Sequence, residues 1–146
     1  MKAPLNRSRS RLFLLDAHEA ARRGLARLIE AEPDLAVCGE AAELEDALRK
    51  IPAAAPDALI LSLEPLDAGG PAPVDRLRWS HPHLPLIVVS LKEPAAHGRR
   101  MLQAGAAGYV TRALAFREII PAIRSVLKGG VHAGKGIAGR RGKGGV

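Results

Sequence analysis

Asp16, His18, Ser62, Ser90 and Arg112 are the residues of this 146-residue chain whose types could do chemistry together. Ser62 follows the apolar run Ala58-Leu59-Ile60-Leu61, Ser90 follows Leu86-Ile87-Val88-Val89, and Asp16 follows Leu12-Phe13-Leu14-Leu15. Such runs are what buried parallel strands look like, and open α/β sheets place their functional groups at the C-terminal ends of the strands. A hydroxyl, an imidazole and a carboxylate could serve as nucleophile, base and orienter. Asp16 and His18, however, lie two residues apart at one strand end, so both are not expected to reach Ser62 in relay order. The Gly-x-Ser-x-Gly elbow is missing around Ser62. His18 reads as the start of a helix, and the chain is not expected to be an enzyme.

The elements that must hold these residues come from alternating patterns. Apolar runs alternate with segments of helical period, which is the pattern of βα units on a parallel sheet. Five units fit, with strands expected at about 11–15, 35–39, 57–62, 85–90 and 107–111. Helices are expected at about 19–31, with Ala21, Leu25, Leu28 and Ile29 on one face, and at 43–50, 73–80, 95–104 and 115–128. Residues 51–56, rich in Pro, read as a connector after the second helix. The closing helix carries Phe116, Ile119, Ile120, Ile123, Val126 and Leu127 as an apolar stripe, and Gly129-Gly130 should stop it. Pro121 inside it predicts a late start or a kink.

A hydrophobic content of 47% is enough to bury a core in a chain of one-domain length. The net charge of +7 suggests nucleic acid until its placement is examined: residues 1–11 and 129–146 each carry four basic residues and no acid, leaving 12–128 at −1. The Gly-rich tail and the N-terminus should be flexible, dividing the chain into a basic end at 1–10, a folded domain at 11–130 and a Gly/basic tail at 131–146. Such ends could hold phosphates with strong salt dependence, but they have no interleaved aromatics, so solubilising ends are the simpler reading and the domain itself is not expected to bind nucleic acid. The single Cys38 excludes an internal disulfide and reads as a small core residue. Trp79 and Met101 read as packing residues. With no secretory or membrane-spanning segment in the sequence, the expected location is cytoplasmic.

Five βα units, an acid after the first strand, a hydroxyl ending the fourth and a base after the fifth together resemble the receiver domain of bacterial response regulators, over about residues 11–130. Glu30-Ala-Glu-Pro-Asp34, Gly39-Glu-Ala41, Gln103-Ala-Gly-Ala-Ala-Gly-Tyr109 and Gly129-Gly130 are most similar to receivers that precede a LuxR-type helix-turn-helix domain. The resemblance implies a doubly wound, flavodoxin-like α/β fold shared with the chemotaxis regulators, with a five-stranded parallel sheet in the order 2-1-3-4-5. It also implies roles. The first strand of a receiver ends in two acids that help hold Mg²⁺, where this chain has Asp16 and Ala17. The third ends in the aspartate that accepts phosphate, where this chain has Ser62. The switch hydroxyl corresponds to Ser90, the lysine after the fifth strand to Arg112, and the aromatic that turns inward on activation to Tyr109.

A carboxylate nucleophile is ionised at neutral pH, whereas serine needs an adjacent base, and none of the matched positions is expected to supply one. Mg²⁺ needs charged oxygen donors, and only Asp16 remains unless Glu64 folds back. The pocket is therefore expected to bind Mg²⁺ weakly or not at all, to form no acyl phosphate and to need no cofactor. Arg112 either pairs with Asp16, linking the first and fifth strands, or is simply solvated. The resulting expectation is an atypical receiver, a pseudo-receiver acting through phosphorylation-independent contacts with a protein. That partner would be a histidine kinase, another regulator or a second copy, met through surfaces that include Arg99, Arg100, Gln103, Arg117 and Arg124. The alternative is the receiver part of a transcriptional regulator whose DNA-binding domain lies outside this chain.

Overall fold

β1 (Ser10–Leu15) buries its last four residues completely, Phe13 and Leu15 on one face and Leu12 and Leu14 on the other. A strand buried on both faces must lie inside a sheet covered by helices on both sides. The computed structural model, which describes residues 9–64, 70–92 and 94–133, has that architecture. After β1 come α1 (Glu19–Glu30), β2 (Leu35–Ala41), α2 (Leu44–Ala54), β3 (Ala58–Ser62), α3 (Ala72–Ser80), β4 (Leu86–Ser90), α4 (Arg99–Gln103), β5 (Gly108–Thr111) and α5 (Ala115–Leu127). All strands are parallel, and their order in the sheet is β2-β1-β3-β4-β5. Phe13, Leu15, Leu59, Leu61, Leu86, Val88 and Tyr109 face α2, α3 and α4, whereas Leu12, Leu14, Ile60, Ile87, Val89 and Val110 face α1 and α5.

Several elements depart from the sequence-based expectation. α2 runs through Pro52 to Ala54, so residues 51–54 are helix and not connector. Pro52 lies in the last turn, where its missing N–H forfeits only one bond, and the helix is held there because Ile51 is buried in the core. The helix then stops at Ala55, an exposed residue in the left-handed region at φ 48°, whose N–H donates to the Ile51 carbonyl at 2.8 Å. A β-carbon is costly in that conformation, so Ala55→Gly should stabilise the protein by about 0.5–1 kcal/mol in a urea denaturation followed by circular dichroism. No gain would mean that the chain leaves this conformation in solution.

The helix expected at 95–104 is regular only from Arg99; Pro94–Gly98 forms a wider π turn. α5 begins at Ala115 and continues past Pro121 with no late start. Its buried residues are Ala115, Ile119, Ala122, Ile123 and Val126, and Phe116, expected in the stripe, is 63% exposed. Trp79 is likewise no packing residue: α3 buries Pro73, Val74 and Leu77, and Trp79, two positions on, falls on the outer side at 87% exposure. Met101 is fully buried as expected. Cys38 is half-buried against the core, and burial pushes its thiol pKa up.

Gly129, at φ 88°, ends α5, and its N–H donates to the Val126 carbonyl at 2.9 Å. The chain does not leave the domain at residue 130. His132 pairs with the free edge of β5, its carbonyl accepting from the Tyr109 N–H at 2.8 Å and its N–H donating to the Ala107 carbonyl at 2.9 Å. The rest of the expected tail, 134–146, and the N-terminus before residue 9 lie outside the described residues.

Candidate functional site

The strand order decides which side chains can meet. β1 and β3 are neighbours with Leu15 opposite Leu61, so the next residues, Asp16 and Ser62, leave the sheet side by side. β3 and β4 pair Ser62 with Val89, which sets Ser90 one step farther along the same edge, and β4 and β5 pair Ser90 with Thr111, directly before Arg112. The sequence-selected residues thus form a row along one edge of the sheet. Asp16, Ser62 and Ser90 are buried, as is Tyr109 with its hydroxyl.

Ser62 Oγ donates to Asp16 Oδ2 at 2.8 Å. The expectation that no matched position places a base beside Ser62 is therefore wrong. Strand adjacency puts a carboxylate on it, which neither residue's local context reveals. The other oxygen, Asp16 Oδ1, accepts the His18 backbone N–H at 2.9 Å, and the His18 ring nitrogen Nδ1 lies 3.7 Å from it. The order is imidazole, carboxylate, hydroxyl. A nucleophile relay needs the imidazole in the middle, so this arrangement does not build one.

Arg112 begins a single 3₁₀ turn (Arg112–Leu114) and reaches back across two strands, bringing Nη1 to 3.7 Å from Asp16 Oδ2. That is an ion pair at contact distance, but not the bidentate fork an arginine can make, and Arg112 Nη2 is buried without a hydrogen-bond partner. On the far side, Arg22 donates from Nη1 to the Asp16 carbonyl at 2.6 Å and from Nε to Glu40 at 2.9 Å, closing the rim between β1 and β2. Arg22 is not among the residues the sequence singles out. Its position one helical turn after His18 is the signal that would have found it.

Glu64 does fold back, but onto β4 rather than towards Asp16. Its Oε2 accepts from Ser90 Oγ at 2.6 Å and its Oε1 from the Leu91 N–H at 2.9 Å. Ser90 Oγ in turn accepts the Lys92 N–H at 3.1 Å, and the Lys92 carbonyl accepts the Tyr109 hydroxyl at 2.8 Å. Tyr109 is completely buried, packed edge-on against the His97 ring at a centroid distance of 5.9 Å. Burial raises the Tyr109 pKa, and burial, reinforced by the Arg100 charge, lowers that of His97. Beside Ser62 the pocket has one carboxylate, Asp16, with both oxygens already accepting hydrogen bonds. Ala17 adds no donor. Among the described residues no three His, Cys, Asp or Glu side chains are grouped closely enough to hold one metal ion.

Of the surface residues selected from the sequence, Arg124 is engaged within the chain, pairing with Glu32 and Asp34 at 2.8 Å each. Its guanidinium holds the Asp34 carboxyl below the usual carboxylate range. Arg100, Gln103 and Arg117 are exposed. None of the described helices is long and apolar enough to cross a membrane.

The chain is 33% identical over 119 residues to the response regulator GacA of Pseudomonas viridiflava, covering 82% of this chain and 56% of that protein. It is 33% identical over 116 residues to the DNA-binding transcriptional activator DevR/DosR of Mycobacterium tuberculosis, covering 80% and 54%. The chain thus spans about half the length of the curated relatives it matches. The crystal structure of a LuxR-family two-component response regulator from Aurantimonas superimposes with a TM-score of 0.82 at 29% identity, covering 94% of this chain and 98% of that one. The family model described as the response regulator receiver domain matches residues 12–124. With the β2-β1-β3-β4-β5 sheet and the row of polar residues along its edge, these matches place the chain in the response regulator receiver domain family, among receivers of the LuxR/NarL type.

Proposed function

We propose that this receiver transmits information without being phosphorylated, as a protein-interaction module of a two-component system. The observation that carries this reading is the hydrogen bond from Ser62 Oγ to Asp16 Oδ2 at the end of β3, where the family resemblance puts the phosphoacceptor aspartate. A neutral hydroxyl held by one carboxylate, and fully buried, is a poor substitute for an ionised carboxylate attacking phosphorus in line. Asp16 alone offers too little negative oxygen for Mg²⁺, which dehydrates reluctantly, so binding of that ion is weak or absent. Arg112, drawn toward Asp16, takes the place of metal and phosphate as the link between β1 and the segment after β5.

The partner in this reading is a protein: a histidine kinase, another regulator or a second copy of this chain, met in the cytoplasm. The relative DevR/DosR, a DNA-binding transcriptional activator, favours a second reading about the whole protein, in which these residues are the receiver part of a transcriptional regulator. That reading concerns residues beyond this chain and leaves the chemistry of the pocket unchanged.

Incubation with acetyl phosphate and Mg²⁺, read by intact-protein mass, should leave the wild-type protein without a phosphoryl adduct. Ser62→Asp should also stay unmodified, because Ala17 and Arg112 remain. Its two carboxylates, in hydrogen-bond contact, should share a proton, so the variant should lose stability as the pH rises above the usual carboxylate range. A Mg²⁺-dependent adduct on wild type would overturn the phosphate-independent reading. An adduct on Ser62→Asp alone would show that Ala17 and Arg112 are not disabling.

A further inference from the structure

The Ser90 hydroxyl and the Leu91 backbone N–H converge on one point above the C-terminal end of β4, and donors aimed together in this way make a site for an anion. That point is occupied by a part of the chain itself, the Glu64 carboxylate, which takes one donor on each oxygen at 2.6 and 2.9 Å. Bonds of this length between an anion and neutral donors are charge-assisted and stronger than neutral ones. They fix Ser90–Lys92 against the end of β3, two residues beyond Ser62. The same segment presents the Lys92 carbonyl to the Tyr109 hydroxyl at 2.8 Å, and the Ser90 oxygen receives the Lys92 N–H at 3.1 Å. One hydrogen-bonded chain therefore runs from Glu64 through Ser90 and Lys92 to Tyr109, whose side chain is wholly inside the protein.

We propose that Glu64 is a built-in anion that positions the switch: its carboxylate occupies the place between Ser90 and Leu91 permanently, and so holds Tyr109 in its inward rotamer with no group added to the protein. The inference rests on the reading of this chain as a receiver working without phosphate, and it adds what stands in for the phosphoryl group. Glu64 acts through the Ser90–Lys92 segment, so it is a positioning residue and not a catalytic one. The preceding position, Leu63, is buried in the core, so the location of Glu64, as well as its charge, is part of the device. While Glu64 is ionised and in place, an anion arriving from solution finds both donors taken.

Because Tyr109 is the sole tyrosine of the chain, 3-fluorotyrosine labels it uniquely for fluorine NMR. In the unsubstituted 146-residue protein a single resonance is expected, shielded from a neutral gadolinium chelate in the solvent. Glu64→Ala should move this resonance toward that of free fluorotyrosine and raise its paramagnetic relaxation several-fold, with far-UV circular dichroism unchanged. Amide hydrogen exchange in the buried strand Leu12–Leu15, away from the chain of bonds, should stay as slow as in wild type, which a general loosening of the fold would not allow. Should Glu64→Ala fail to fold, Glu64→Gln keeps the shape, removes the charge and carries the same expectation. A folded variant whose fluorine resonance keeps the wild-type position and shielding would overturn the proposal, because Tyr109 would then be held by packing alone. The two readings fail separately. A phosphoryl adduct on wild type refutes phosphate independence whatever Glu64 does, and an unmoved Tyr109 refutes the role of Glu64 whatever acetyl phosphate does.

Discussion

Replacing Asp16 with alanine is expected to lower the unfolding free energy by about 2–4 kcal/mol, because one buried carboxylate satisfies three groups at once. Its loss leaves the Ser62 hydroxyl without an acceptor in a site closed to water, strips the His18 N–H of its bond and leaves Arg112, three-quarters buried, with no anion at contact distance. Asp16→Asn, which keeps the shape and one acceptor oxygen, should lose about half as much. Urea denaturation followed by far-UV circular dichroism is the measurement, since Trp79 is too exposed to report on the core. The contribution of the arginine is separable. At 3.7 Å and without a hydrogen bond the Asp16–Arg112 pair should show a coupling of only about 0.5–1 kcal/mol in a double-mutant cycle with Arg112→Ala, most of the Asp16 effect being the loss of hydrogen bonds. A total loss below about 1 kcal/mol for Asp16→Ala would mean that Ser62 finds another acceptor, and the pocket would then be less rigid than its hydrogen bonds imply.

The second large effect lies behind the site. Phe13 is fully buried and stands opposite Gly39 across the β1–β2 pair, at a register shift between Leu12 and Phe13. A β-carbon on Gly39 would come within 2.6 Å of the Phe13 ring. Phe13→Ala should cost about 3–5 kcal/mol by opening a cavity, and Gly39→Ala about 1–3 kcal/mol by overfilling the same space. The two should not add. In the Phe13→Ala background the extra methyl of Gly39→Ala enters the vacated volume, so its cost should fall close to zero in the same denaturation experiment. Additive losses would show that the ring and the glycine are not in contact. Asp16 directly follows the strand carrying Phe13, so movement of β1 here would also disturb the bond to Ser62.

Much of this fold was legible in the sequence because its strands are buried on both faces. Continuous runs such as Leu59-Ile60-Leu61 and Ile87-Val88-Val89 can be read without knowledge of their neighbours, and the polar residue that ends each run marks the sheet edge. Where the reading failed, local rules met a competing tertiary demand. The prolines at 52 and 56 argue for ending α2 at Lys50, but the core needs Ile51 and the helix runs on to Ala54. Large apolar residues usually pack, which points Phe116 and Trp79 to the core, yet each sits on the outer side of an otherwise correctly placed helix. The segment after Gly130 lacks the periodicity of a packed element, whereas the His132 pairing uses backbone groups alone and leaves no mark in the side-chain pattern.

For this protein, then, the sequence by itself determined the class of fold and the set of residues at the edge of the sheet, because burial pattern and strand length are local properties of the chain. The tertiary structure alone decided how those residues are joined. Asp16 and Ser62 are 46 positions apart, and Glu64 and Ser90 are 26 apart. Whether such groups bond depends on which strands are neighbours and on where the chain turns after each one, and the directions of hydroxyl and carboxylate follow from that. A serine after β3 is only a missing carboxylate when read in sequence. In the folded protein it is a donor to Asp16, and the acid two residues later, Glu64, holds Ser90 and Leu91.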